Sequence, residues 1–289
     1  AISGGLGVII PPSIPFIVYS TTTNASVANL FIAGILPGFL IGGCLMVYTY
    51  YYCRRYGEDK EKLRTKFEEI RSRGFIKLFI SSFWALLTPV IILGSIYTGV
   101  ASPTEAATIS IYYALAVSLF AYRTIKVNQL WEVLCEGVST YGSVMLIMGT
   151  AVTFSRVITV MGIGEYIRDN ILTVLGSKLM VLVAVNFILL IAGMLLDALS
   201  AILILAPMMF PTVQLLGVDP VHFGIIMVVN LAIGFVTPPM GMNLFVASNL
   251  TKVPVISIAK KAVPFITAFA VAAVLINFFP KISLILIGG

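Results

Sequence analysis

Two proline pairs interrupt two strongly apolar stretches of this chain, and no other feature restricts its fold as much. The first pair lies in G-V-I-I-P-P-S-I-P at residues 7–15, the second in G-F-V-T-P-P-M-G-M at residues 234–242. A shift of 227 positions superposes Gly7 on Gly234, Pro11-Pro12 on Pro238-Pro239 and, with no gap, Pro37 on Pro264. Proline lacks an N–H and its ring clashes with the preceding turn, so two in succession break a helix. Inside a bilayer the freed backbone groups persist only where protein buries them or a polar cavity meets them. Equivalent breaks in two repeats therefore point to an ion and substrate site of a secondary transporter.

The rest of the chain supplies the membrane setting. It is 59% hydrophobic and only 10% charged, which implies an all-α polytopic membrane protein. The net charge of +6 is no nucleic-acid signal, because the basic residues cluster in loops, where they mark the cytoplasmic side. Cys44, Cys53 and Cys135 sit in or beside apolar segments and read as inert packing. Full spans are expected at 30–52, 75–97, 104–122, 141–160 and 256–279, with a polar turn at 21–24. Thr104 reads as an N-cap, with Glu105 in the first turn. The charged stretch 54–77, with Phe67, Ile70 and Phe75 as apolar contacts, reads as an amphipathic helix along the cytoplasmic surface. Shorter amphipathic pieces are expected at 130–138 and 163–175.

Residues 179–216 are too long for one tilted span. Two complete spans would leave Asp197 in an ordinary loop. A re-entrant hairpin with its tip at 193–198 places Asp197 at mid-bilayer instead. It also lets Arg54, Arg123, Lys126, Lys252, Lys260 and Lys261 all face the cytoplasm.

Four segments then resemble one family, in the same order and spacing. They are I-I-P-P-S-I-P at 9–15, S-P-T-E-A-A-T at 102–108, L-D-A-L-S-A-I-L-I-L-A-P at 196–207, and D-P-V-H-F-G…G-F-V-T-P-P-M-G-M-N-L-F at 219–245. Together they resemble the large membrane subunit of tripartite ATP-independent periplasmic (TRAP) transporters, DctM/SiaM-like. The match corresponds to roughly the C-terminal two-thirds of that subunit. A cytoplasmic-side hairpin is expected ahead of Ala1, so that one of two sodium sites is only half present. The resemblance implies an elevator-type transporter of inverted repeats in a bacterial inner membrane. Its substrate is a small organic anion of the sialic acid or C4-dicarboxylate class, with a slight preference for sialic acid. Sodium is the coupling ion, with no further cofactor. Its partners are a small membrane subunit and a periplasmic substrate-binding protein. On this plan residues 1–26 form the first broken helix of the transport domain, and 27–137 form scaffold spans with the cytoplasmic arm helix. Residues 138–177 form a span and an interfacial helix, 178–250 the hairpin and second broken helix, and 251–289 the terminal span.

The same resemblance gives roles to individual residues. Carbonyls of Gly234, Thr237 and Met240, with the Thr237 hydroxyl, face one cation, and the tip at Gly193 and Ala198 closes that site. Gly7, Ile10 and Ser13 hold the corresponding places in the first repeat, Ser13 through its hydroxyl. Gly7 and Gly234 have an alternative use in close helix packing. Polar groups at bilayer depth are expensive, which singles out Asp197 and Asn243. Asp197 either acts on the coupling cations electrostatically or holds the tip by accepting backbone N–H bonds. Asn243 begins the second half-helix, whose N-terminus favours an anion, unless it serves only as a cap. Ser200 reaches the same cavity. His222, after Asp219-Pro220, reads as a structural hydrogen bonder rather than a metal ligand. No nucleophile–base pair, phosphate loop or metal cluster is present, which argues against an enzyme. The alternatives are a carrier of the divalent-anion sodium symporter type and a non-transporting membrane scaffold.

Overall fold

The computed structural model describes residues 1–57, 61, 64–65, 67–68, 71, 74–163, 165–166 and 177–288. Among the described residues there is no strand. Six helices among the described residues are long and apolar enough to cross a membrane: Val27–Tyr56, Ile76–Tyr97, Pro103–Ala121, Lys178–Leu195, Ala198–Leu215 and Val255–Phe278. The chain is an all-α polytopic membrane protein. It divides into two compact units, one of residues 1–48 and 143–289, the other of residues 49–142. The packing boundary thus falls after Tyr48, so residues 27–48 group with the broken helices rather than with 49–137.

The smaller unit is built on α3 (Phe75–Tyr97) and α4 (Pro103–Ala116), which pack together. Tyr113 donates its hydroxyl to the Trp84 carbonyl at 2.8 Å, and Tyr122 accepts from the Ala85 N–H at 3.3 Å. The N-cap of α4 is Ser102, not Thr104, because Pro103 suits the first helical position, where an N–H has no partner. Ser102 and Glu105 close a capping box there, so Glu105 is a helix-start group. The α-helix stops at Ala116 and passes into a π turn over Val117–Ala121. One helix, α5 (Leu130–Val160), replaces the two pieces expected at 130–138 and 141–160, since no proline separates them. Much of the expected arm at 54–77 and nearly all of the interfacial piece at 163–175 lie outside the described residues. Within the arm, Arg64 and Glu68 pair at 3.0 Å.

The larger unit contains both interrupted helices. The first runs as a 3-10 helix, Ile2–Val8, then as α1 (Ile14–Thr23). The expected polar turn is helical instead, because Thr21, Thr22 and Thr23 turn their hydroxyls back onto the carbonyls of Val18 and Tyr19. After Asn24, whose φ of 57° ends the helix, α2 (Val27–Tyr56) begins. The second interrupted helix runs as α8 (Pro220–Gly234) and α9 (Met242–Thr251), followed by α10 (Val255–Phe278). Both proline pairs carry a cis peptide bond.

Between these copies sits the hairpin of α6 (Lys178–Leu195) and α7 (Ala198–Leu215), joined only by Leu196 and Asp197. Each arm of 18 residues is about 27 Å long. The tip reaches the end of α8, and α9 carries the chain ten residues further on. The hairpin tip thus lies level with the end of the first half-helix.

The two copies are not related by one register throughout. Ser20 donates its hydroxyl to Ala25 O at 2.5 Å, and Ser248 donates to Val253 O at 2.6 Å. The left-handed residues Asn24 and Lys252 end the corresponding helices. These pairs are 228 positions apart, against 227 for the proline pairs. One residue follows Pro12 before α1 begins, whereas Met240 and Gly241 both precede α9. The gapless superposition of Pro37 on Pro264 is thus one residue out of structural register.

α8 is almost wholly buried and apolar except at His222 and Asn230, as befits a helix at the centre of a membrane unit. Tyr19 donates to the Pro220 carbonyl at 2.7 Å, and its ring meets Phe223 edge-on at 6.3 Å. Gly224 makes room for this: a Cβ there would lie 2.6 Å from the Tyr19 ring and 2.8 Å from Leu30. Gly224→Val should lower the melting temperature of the purified protein by several degrees, consistent with overpacking of about 1–3 kcal/mol. Gly43→Val, where a Cβ meets nothing within 4 Å, should leave it within error. Equal effects would contradict this packing.

Candidate functional site

The second break is built from both sides. Asp219 caps α8, its carboxylate accepting from the N–H groups of Val221 (2.8 Å) and His222 (3.1 Å), with Pro220 at the first position. At the other end Thr237 donates its main-chain N–H to Gly234 O at 3.0 Å and its hydroxyl to Ile233 O at 2.7 Å. The Thr237 hydroxyl oxygen keeps its acceptor capacity. Across the gap, Asn243 N–H donates to Phe235 O at 3.0 Å, tying α9 to the end of α8.

The hairpin tip lies directly on this break. Met240 N–H donates to Met194 O at 3.2 Å. A Cβ on Gly234 would collide with the Gly193 backbone, and one on Gly193 would lie 2.9 Å from Leu231 Cα. Two glycines face to face let the backbones approach as no other residues would. Asp197 caps α7, its carboxylate accepting from Leu199 N–H (3.0 Å) and Ser200 N–H (3.5 Å). Asp197 thus accepts backbone N–H bonds at the hairpin tip. Ala198, next in sequence, is buried.

The first break uses different means. Ser13 is buried, donates its hydroxyl to Val8 O at 2.5 Å and caps α1 by accepting from Phe16 N–H. Ile10 packs on Gly38 of α2, and Gly34 of α2 lies against Ile9 O and Phe16. A Cβ on Gly7 would meet nothing within 4 Å, in contrast to Gly234. The two breaks also approach each other. Gly5 lies beside Ala232 O and Phe269, while Gly4 faces Asn243, whose Nδ2 is 2.8 Å from where a Gly4 Cβ would sit. That Nδ2 is buried and has no acceptor. Asn243 is no cap: the N-cap of α9 is Gly241, with φ of 27° and no side-chain hydrogen bond.

Gly193, Ala198, Gly234, Thr237 and Met240 therefore gather at one junction, and Gly7, Ile10 and Ser13 line the other break. Asn243 stands where the two interrupted helices meet, while Asp197 and Ser200 are engaged in capping α7. Two polar residues escaped the sequence reading. Asn230 Nδ2 donates to Asn186 Oδ1 at 2.6 Å and to Ile226 O at 2.8 Å, while Asn186 Nδ2 donates to Leu182 O at 2.6 Å. This closed network bolts α6 to α8 below the glycine contact. The rule that marks Asn243, a polar group inside an apolar run, marks both of them as well. His222 is buried and bonded to Ser283 Oγ at 3.1 Å, as expected of a structural group.

Comparison with known proteins finds similarity over nearly the whole chain. The family described as "Tripartite ATP-independent periplasmic transporter, DctM component" matches residues 1–282. The isethionate TRAP transporter permease protein DctMQ of Oleidesulfovibrio alaskensis is 39% identical over the whole of this chain, which covers 45% of that protein. The C4-dicarboxylate TRAP transporter large permease protein DctM of Pseudomonas aeruginosa is 39% identical over 98% of this chain and 65% of its own length. The sialic acid TRAP transporter large permease protein SiaM of Vibrio cholerae is 34% identical over 97% of this chain and 64% of its own length. The chain thus spans less than half of the first relative and just under two-thirds of the other two.

The glycine contact has a direct test. In a background lacking Cys44, Cys53 and Cys135, Gly234→Ala should raise maleimide labelling of a cysteine placed at Leu196 several-fold, because the tip is pushed off the break. Gly7→Ala should leave labelling unchanged. Equal labelling in all three proteins would show that the tip does not depend on Gly234.

Proposed function

This chain belongs to the DctM component family of tripartite ATP-independent periplasmic transporters, and on that premise we propose that it carries the transport site for a small organic anion, coupled to sodium. The family is one of transporters rather than enzymes. The observation that carries the proposal is the junction of two interrupted helices, closed on one side by a hairpin tip, with an unpaired amide donor at Asn243. Unwound backbone at a break offers carbonyl oxygens, which suit a hard monovalent cation without any carboxylate. In this reading Gly234, Thr237, Met240, Gly193 and Ala198 surround one sodium, and Gly7, Ile10 and Ser13 contribute to a second.

Coupling then follows from shared structure. A cation held between the break and the tip orders Met240 against Met194, and that fixes the start of α9. The anion meets the partial positive charge of the α9 N-terminus and the Asn243 amide. Because one bound state requires the other's geometry, sodium raises affinity for the anion and the anion raises affinity for sodium by the same factor. The relatives are named for isethionate, C4-dicarboxylate and sialic acid, all of which carry an anionic head. For this chain the substrate class is therefore a small carboxylate or sulfonate, the sialic acid and C4-dicarboxylate classes included. A periplasmic binding protein delivers it, a small membrane subunit completes the carrier in the bacterial inner membrane, and the block of both broken helices moves as an elevator. A non-transporting scaffold would have no use for paired breaks.

Thr237→Val keeps the shape and removes one oxygen. In proteoliposomes holding the full-length permease, its small subunit and its binding protein, the sodium concentration for half-maximal uptake should rise about 2- to 10-fold, the worth of one lost polar contact. Maximal uptake at saturating sodium should be largely retained. An unchanged sodium curve would remove Thr237 from the site, and uptake indifferent to sodium would remove the coupling.

A further inference from the structure

The hairpin meets α8 at two levels, and the two contacts differ in kind. At the tip, Gly193 and Gly234 touch main chain to main chain, which is close but not directional. Seven residues earlier on α6, about 10 Å along the helix, Asn186 stands opposite Asn230. There the contact is directional. Asn186 Nδ2 donates to its own helix at Leu182 O (2.6 Å), which leaves Oδ1 facing α8. Asn230 Nδ2 uses both of its hydrogens, one on Ile226 O (2.8 Å) and one on Asn186 Oδ1 (2.6 Å). Each amide is thus held by its own helix before it reaches the other. Among the described residues, no other side-chain hydrogen bond joins α6 or α7 to α8.

Burial does not require this pair. Val181, Val185, Leu189 and Gly193 recur every fourth residue and form the buried stripe of α6. Leucine at both asparagine positions would extend that packing without placing an amide in hydrocarbon. What leucine cannot supply is register. A single asparagine in an apolar helix interface fixes the axial alignment of the helices and lowers their stability in doing so. Here the aligned element is the arm that carries Gly193 and Met194, whose carbonyl accepts from Met240 N–H at 3.2 Å. One contact leaves α6 free to pivot about the tip, whereas two contacts about 10 Å apart set both its height and its tilt. We propose that, on the reading that the second break holds a coupling cation, Asn186 and Asn230 are positioning residues for that site. Their bond sets how far the tip carbonyls stand from Gly234 and Thr237, and thereby the affinity for sodium. Both act through the hairpin rather than as ligands: Asn186 lies two turns from the tip, and the amide hydrogens of Asn230 are already engaged.

The experiment uses the full-length permease complex in a cysteine-free background carrying Leu196→Cys. Sodium is titrated at constant ionic strength, and protection of that cysteine from maleimide is read together with the melting temperature. Asn186→Leu and Asn230→Leu should each raise the sodium concentration for half-protection about 3- to 10-fold, the effect of one hydrogen bond between membrane helices. Both remove the same bond, so the double variant should shift no further than either single one. Its melting temperature should match or exceed the parent's, because no amide is left unpaired. Asn186→Asp should retain the parent's sodium curve, since a carboxyl in either protonation state keeps the acceptor that Asn230 Nδ2 needs. A double variant with the parent's curve, a double shift equal to the product of the single ones, or Asn186→Asp shifted as far as Asn186→Leu would each overturn the proposal. So would a sodium shift accompanied by a lower melting temperature in the double variant, which marks a purely structural bond. If sodium fails to protect the parent's cysteine, the cation reading itself falls; if it protects parent and variants alike, only the role of the asparagine pair does.

Discussion

A helix interrupted at bilayer depth survives only if the backbone groups freed by the interruption find partners, since each one left alone costs several kcal/mol. At the second break that demand is met by the hairpin tip and by α9. Met240 N–H reaches Met194 O, Asn243 N–H reaches Phe235 O, and the Thr237 hydroxyl returns to Ile233 O. The Met240–Met194 bond brings the main chain of the break against that of the tip, and the facing glycines Gly193 and Gly234 allow it. The Asn186–Asn230 bolt ties α6 to α8 beneath that contact, and the proposed cation site lies where the tip meets the break.

The two repeats solve the same problem by unlike means. In the first, the Val8 carbonyl accepts from a side chain, the hydroxyl of Ser13. In the second, the equivalent carbonyl of Phe235 accepts from the main chain of Asn243. The extra residue before α9 explains the difference. Gly241 takes a φ of 27°, and a Cβ there would lie 2.8 Å from the Leu244 side chain, so only glycine fits. Asn243, two residues on, faces Gly4 of the first repeat. The sites proposed at the two breaks thus have related frames and different side-chain oxygens.

Most of the architecture was legible because prolines and long apolar runs are strong signals. Pro11-Pro12 and Pro238-Pro239 located both interruptions, and Asp197 located the hairpin tip. Subtler features were not legible, for physical reasons. The one-residue change in repeat register is hidden because Pro37 and Pro264 happen to align without a gap while the helix caps do not. Ser102 displaced Thr104 as a cap because proline at the first helical position decides the start. Asn186 and Asn230 each stand alone in an apolar run with no motif around them, although the cost of an amide in hydrocarbon applies to them as to Asn243.

The central proposal is that a bound sodium ion further fastens the hairpin tip to the second break, which the Met240–Met194 bond already brings together. Hydrogen exchange of the full-length permease complex, in sodium and in potassium at equal ionic strength, reads this without requiring transport. Sodium should slow exchange at residues 193–200 and 234–243 together, with little change in α3. Identical exchange in the two salts at both segments would contradict the account.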